Sequence, residues 1–121
     1  MLKRAYRLRH RQEIVAIRQA GQQKRHPLAV LLYQRRAKEN ENSRFAFVAS
    51  RRIGKAVVRN RSKRVMRAVI QAHWTHITPG WDCIFLARGR IVKATYIDIE
   101  AGLVQLLSRA GIWHENIDVM D

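Results

Sequence analysis

The chain has 121 residues, 47% of them apolar, which suits one globular core and not a disordered chain. Twenty-four Lys and Arg stand against nine Asp and Glu, a formal charge of +15 and a pI near 11.5, so the expected partner is a polyanion. No apolar run approaches the roughly 18 residues of a membrane span, no apolar signal-peptide core follows the basic N-terminus, and the single Cys83 excludes an intrachain disulfide, which suits a reducing, cytoplasmic setting.

The charge is uneven. Residues 1–76 hold 20 of the 24 cations and 3 of the 9 acids. The binding surface is therefore expected in the first two thirds of a single domain over 1–121, with the last third mainly scaffold.

In chain order, residues 1–10 read as a flexible basic segment tied down at most by Leu2, Tyr6 and Leu8. A first helix is predicted over 11–20, stopped at Gly21, with Ile14 and Ile17 inward. Residues 22–27 read as a polar connection. The continuous apolar run 28–33 has the length of a buried strand. Residues 35–43 have loop composition, and 44–50 read as the next strand, with Phe45 and Phe47 on one side and Ala46 and Val48 on the other. The short loop between these two runs predicts an antiparallel pair. A long helix is predicted over 57–76, a strand over 82–87, and a last helix from near Thr95, with a capping-box spacing to Asp98, to Gly111. Residues 112–121 form a tail. The order α, β, β, α, β, α implies an α/β (α+β) two-layer sandwich, with helices packed on a small mixed sheet.

The stretch 50–74, SRRIGKAVVRNRSKRVMRAVIQAHW, dominates the chemistry. At about 100° per residue, Arg59, Asn60, Lys63, Arg64 and Arg67 share one arc of the long helix. Val65, Met66, Ala68, Val69 and Ala72 share the other. Arg61 projects toward the apolar side and is expected at its rim. Solvated helices normally interleave acids with bases. Here no acid occurs between Ser43 and Trp81. Like charges at i,i+4, such as Arg59 with Lys63 and Lys63 with Arg67, repel, so the helix needs an outside anion. RNA, DNA and an anionic membrane all qualify; the membrane fits least, since the helix lacks a broad aromatic and leucine face.

Autonomous catalysis finds little support. His73, His76 and Cys83 fall short of a converging zinc set. Ser50, Ser62 and Ser108 lack a nucleophile signature, and no phosphate loop occurs.

The run from Arg51 to Arg67, RRIGKAVVRNRSKRVMR, closely resembles the signature of the bacterial ribonuclease P protein component: a basic pair, a glycine, then R-N-x-x-K-R-x-x-R on a helix. The match falls on Arg59, Asn60, Lys63, Arg64 and Arg67. The resemblance extends to the Tyr-Arg-Leu-Arg step near the N-terminus, the short helix ending at Gly21, the strand from Phe45, the DCIFLAR strand and the leucine-rich last helix. It implies an α/β sandwich with a left-handed βαβ crossover. It also implies a partnership with a catalytic RNA that removes the 5′ leader of precursor tRNA, the RNA holding Mg²⁺ and doing the chemistry. No membrane and no further protein partner are implied. Arg51, Arg52, Lys55, Arg59, Asn60, Arg61, Lys63, Arg64 and Arg67 would then bind the RNA. Ile14, Arg18, Tyr33 and Phe47 would line a leader cleft between the first helix and the sheet. The family commonly has aromatics where Ile14 and Arg18 stand, so base stacking is lost there and charge at Arg18 replaces part of it. The strand aromatic of the family corresponds to Tyr33, or one position earlier to Leu32. Phe45 and Phe47 also read as ordinary core residues. Rival readings are a ribosomal-type RNA-binding protein and a DNA-binding domain whose basic helix enters the major groove.

Overall fold

The apolar runs form strands because each can bury both of its alternating faces, which a strand in the middle of a covered sheet must do. The computed structural model describes residues 2–38 and 40–115. It contains helix α1 (Arg11–Ala20), strands β1 (Gln22–Arg25), β2 (Ala29–Arg35) and β3 (Arg44–Val48), helix α2 (Ala56–Ala72), strand β4 (Trp81–Ala87) and helix α3 (Tyr96–Ala110). Short 3-10 turns occupy Arg4–Tyr6, Arg51–Ile53, Trp74–His76 and Gly89–Lys93. Residues 116–121 of the expected tail lie outside the described residues. Ahead of them, Ile112 is buried and Trp113 bridges to Ile77.

The sheet order is β1-β2-β4-β3. β2 runs antiparallel to both β1 and β4, while β3 runs parallel to β4. This corrects two expectations. β2 and β3 do not pair, because β4 inserts between them; β3–α2–β4 is a crossover unit joining neighbouring parallel strands. Residues 22–25, read as a polar connection, form β1. Its QQKR sequence carries no apolar alternation because it lies at an edge and is held by backbone bonds to β2. Lys24 and Arg25 suit such an edge, where charge discourages further strand pairing.

Side-chain alternation splits the core in two. Leu31, Tyr33, Phe45, Cys83 and Phe85 face α2 and α3, and Met66, Val69, Ile70, Ile99, Leu103 and Leu106 pack on them. Leu32, Ala46 and Ile84 face the opposite side, where Ile17 and Leu8 cover them. The rings of Phe45, Phe47 and Phe85 stack parallel at 6.1–6.4 Å, each pair adding about 0.5–1.5 kcal/mol beyond burial. Cys83 is fully buried in this layer, and burial pushes its thiol pKa well up, so it serves as a small apolar residue.

The ends of elements follow local chemistry. Thr95 caps α3 by accepting from Asp98 N at 3.1 Å, and the Asp98 carboxylate accepts from Thr95 N at 3.3 Å, so the expected capping box is present. Gly54 enters α2 with φ 145°, a conformation that side chains rarely adopt. The N-terminal segment is ordered against the body. Leu2 and Leu8 are buried, Tyr6 stacks on Trp74 at 3.9 Å, and Leu8 N donates to Phe45 O at 2.9 Å.

At the opposite end of the sheet from Gly54, Arg44 on β3 is held by the acids around it. Its Nε donates to Asp82 Oδ1 at 2.8 Å and its Nη2 to Asp82 Oδ2 at 2.7 Å and Glu13 Oε2 at 3.1 Å. These bonds raise the Arg44 pKa further still. The group ties α1, β3 and β4 together. Arg36 braces the following loop, bonding Asn42 O and pairing with Glu41 at 3.2 Å.

Candidate nucleic-acid interface

Helix α2 buries Ser62, Met66, Val69 and Ile70. This stripe is rotated from the one expected, because Met66 and Ile70 remove far more apolar area from water than alanines do. Ala68 and Ala72 are exposed, and Arg61, placed at the apolar rim on sequence grounds, is fully outward. Ser62 is tolerated inside because its Oγ–H donates to Val58 O at 3.0 Å.

The cations divide into two rows. Asn60, Arg61 and Arg64 are exposed on the crest of α2. Arg59, Lys63 and Arg67, at i,i+4 spacing, are half-buried on the flank. Arg51, Arg52 and Lys55 precede the helix and are exposed. No residue from Arg51 to Arg67 has a carboxylate partner among the described residues, whereas Arg36, Arg44 and His73 do. The helix has no acid in its first turn, so its positive N-terminal dipole end and the cations of its first turns repel one another. Arg59 Nε is buried with no hydrogen-bond acceptor among the described residues. A surface so arranged is destabilised alone and stabilised by phosphates.

The flank row leads into a groove of about 240 Å³ along the β3 edge. Ile14, Arg9, Leu8, Phe47, Val48 and Arg67 line it. Two of the four expected cleft residues, Ile14 and Phe47, therefore meet here. Arg18 is exposed on α1 and does not line this groove. Tyr33 is a correction. It is 3% exposed and lies on the α2/α3 side of the sheet, edge-on to Trp81 at 5.8 Å. Strand alternation forces this, and Leu32 faces α1 instead. Arg7 and Arg9 were not singled out from the sequence. The alternation Tyr6-Arg7-Leu8-Arg9 carried the signal, since burying Leu8 sends its neighbours outward. Both arginines also line a second, polar pocket of about 440 Å³ with Arg4, His10 and Arg36.

The cations of the last third are not all remote from the basic helix. Arg88, Gly89 and Arg90 follow β4 at the same sheet end as Arg51 and Arg52, since β3 and β4 are parallel, and their turn packs on the Arg51–Ile53 turn. The histidines have structural partners: His73 Nε2 is 2.6 Å from Glu100 Oε2, and His76 stacks on Trp113 at 4.4 Å. No helix among the described residues is long and apolar enough to cross a membrane.

Among the described residues, a mixed four-stranded sheet, three helices and a face of cations without carboxylate partners define a small α+β protein suited to a polyanion. Comparison with known proteins specifies it further. The ribonuclease P family model matches residues 2–111, and the chain belongs to that family. It is 33% identical over 112 residues to the ribonuclease P protein component of Roseiflexus castenholzii, covering 92% of this chain and 90% of that one. It is 35% identical over 129 aligned positions to that of a Cyanothece strain, covering 94% and 98%. Among solved structures, the Staphylococcus aureus RNase P protein superposes with a TM-score of 0.81 at 27% identity, over 92% of this chain and all of that one. The Thermotoga maritima protein gives 0.77 at 26% identity, over 85% and 96%.

Proposed function

We propose that this chain is the protein subunit of a cytoplasmic ribonuclease P ribonucleoprotein, assisting removal of the 5′ leader from precursor tRNA. The observation that carries this reading is the row Arg59, Lys63, Arg67, without a carboxylate partner among the described residues and running from the exposed basic turn into the groove beside Phe47 and Ile14. The catalytic RNA lies on Arg51, Arg52, Lys55 and the crest of α2, with Asn60 hydrogen-bonding its backbone. The leader takes the groove. One half-buried ring, Phe47, is available to a base there, and Arg9 and Arg67 neutralise phosphates. Hydrolysis is assigned to the RNA and the Mg²⁺ that RNA would hold, in keeping with the family the chain belongs to. The protein's contribution is to relieve repulsion between two polyanions and to position the leader.

Reconstitution tests this. The chain is added to a bacterial ribonuclease P RNA with precursor tRNA at low Mg²⁺. Leader removal is expected with both components and with neither alone. Cleavage by the protein alone overturns the division of labour. No stimulation, with co-sedimentation on ribosomes, transfers the chain to the ribosomal-type reading.

A further inference from the structure

We propose that a groove on the far side of the basic end, between the Gly89–Lys93 turn and α3, binds one unpaired nucleotide of the RNA partner; this rests on the RNA-binding reading above. The groove holds about 690 Å³, within the range of ligand pockets of about 300–1,000 Å³. Leu28, Val92, Ala94 and Ala101 give it an apolar lining. Exposed Arg90 and Lys93 also line it. It shares His26, Pro27, Gly89 and Arg90 with a second depression of about 530 Å³, which adds Arg25 and Arg88. Among the described residues Asp98 is the one acid lining either depression, and its carboxylate is engaged in capping α3. An apolar slot among cations suits a base with its phosphate, because the slot takes the ring and the cations take the charge.

Two features make this a shaped site. Gly102 sits inside α3, where glycine is unfavourable. A Cβ there would come 2.8 Å from His26 Cε1, so the glycine lets the imidazole seat on the helix at the groove wall. His26 Nδ1 accepts from Leu28 N at 3.1 Å, so the neutral ring carries its proton on Nε2 and presents a donor. Burial, with help from Arg109, keeps the ring neutral. His26 Nε2–H and the Gln105 amide are thus the hydrogen-bonding partners for a base edge.

Location supplies the partner. The Gly89–Lys93 turn packs on both the Arg51–Ile53 turn and α2, so the groove begins where the basic turn ends. An RNA strand lying on Arg51 and Arg52 reaches Arg88 and Arg90 without leaving positive surface.

The test uses the full chain with a bacterial ribonuclease P RNA. Ala101→Trp fills the slot from an exposed helix position; about tenfold weaker RNA binding is expected, with the salt slope unchanged. Arg90→Ala with Lys93→Ala should lower the salt slope by about two. A photo-crosslinker at Gln105 should capture an unpaired nucleotide. Binding of Ala101→Trp within twofold of wild type overturns the proposal. So does a crosslink to a duplex stem, to a protein chain, or to nothing. If Ala101→Trp does not fold by circular dichroism, the Gln105 crosslink decides. Adenosine monophosphate that binds without RNA and abolishes the crosslink makes a free nucleotide the occupant and overturns the RNA assignment. A wild-type chain that binds no RNA at all overturns the function reading as well, which separates the two failures.

Discussion

The guanidinium carbon of Arg67 on α2 lies 5.5 Å from the centre of the Phe47 ring on β3. One residue thereby belongs both to the cationic helix and to the groove at the sheet edge. The contact joins α2's flank to β3, and Phe47 is itself stacked on Phe45 and Phe85. The basic row and the groove are one continuous surface because of this packing.

If that contact couples helix to strand, Arg67→Ala and Phe47→Leu should not act independently. A double-mutant cycle in urea, without RNA, is expected to give a coupling of about 0.5–1 kcal/mol. Strict additivity would remove the link. Arg67→Lys should keep only part of the coupling, since an ammonium lacks the planar stacking of guanidinium.

Arg64 lies on the crest of α2, exposed and without a carboxylate partner among the described residues. Arg64→Ala should therefore leave the unfolding midpoint unchanged and lower the slope of log binding constant against log salt by about one unit. An unchanged slope would take Arg64 out of the phosphate contacts.

Removing Arg44 has the opposite profile. Asp82 is 8% exposed and takes two of Arg44's hydrogen bonds. Arg44→Ala strands a buried carboxylate, and a loss of about 3 kcal/mol in urea unfolding is expected. Arg36, 3.9 Å from Asp82, recovers little at that distance. Arg44→Ala with Asp82→Asn should be more stable than Arg44→Ala alone, which distinguishes a stranded charge from lost packing.

His26 makes stability depend on pH. Burial and the nearby Arg109 lower its pKa from the ordinary 6.5. The unfolded chain then binds the proton more readily than the folded one, so this contribution is intact above 6.5 and is lost as pH falls below it. Unfolding free energy should decline between about pH 7 and 5. His26→Asn, whose amide oxygen can replace Nδ1 as acceptor for Leu28 N, should flatten that decline. An equal slope in both proteins would place the titration elsewhere.

Strand and helix positions were largely legible in the amino-acid order, because burial on one stripe or on two alternating faces writes a period into it. α1, the capping box of α3 and the Phe45/Phe47 alternation follow from period and end signals alone. So does the chemistry of the basic helix, since repelling cations without acids already imply an external anion. What the order could not contain is pairing. That β4 lies between β2 and β3, and that QQKR is a strand, depend on backbone bonds to which any side chain is compatible. That order keeps Tyr33 on β2 away from the groove at the β3 edge, and brings Arg88 and Arg90 beside Arg51 and Arg52. Local sequence determined which residues carry charge and where the helices and most strands lie; only the parallel crossover, a long-range contact, decided which charges share a surface.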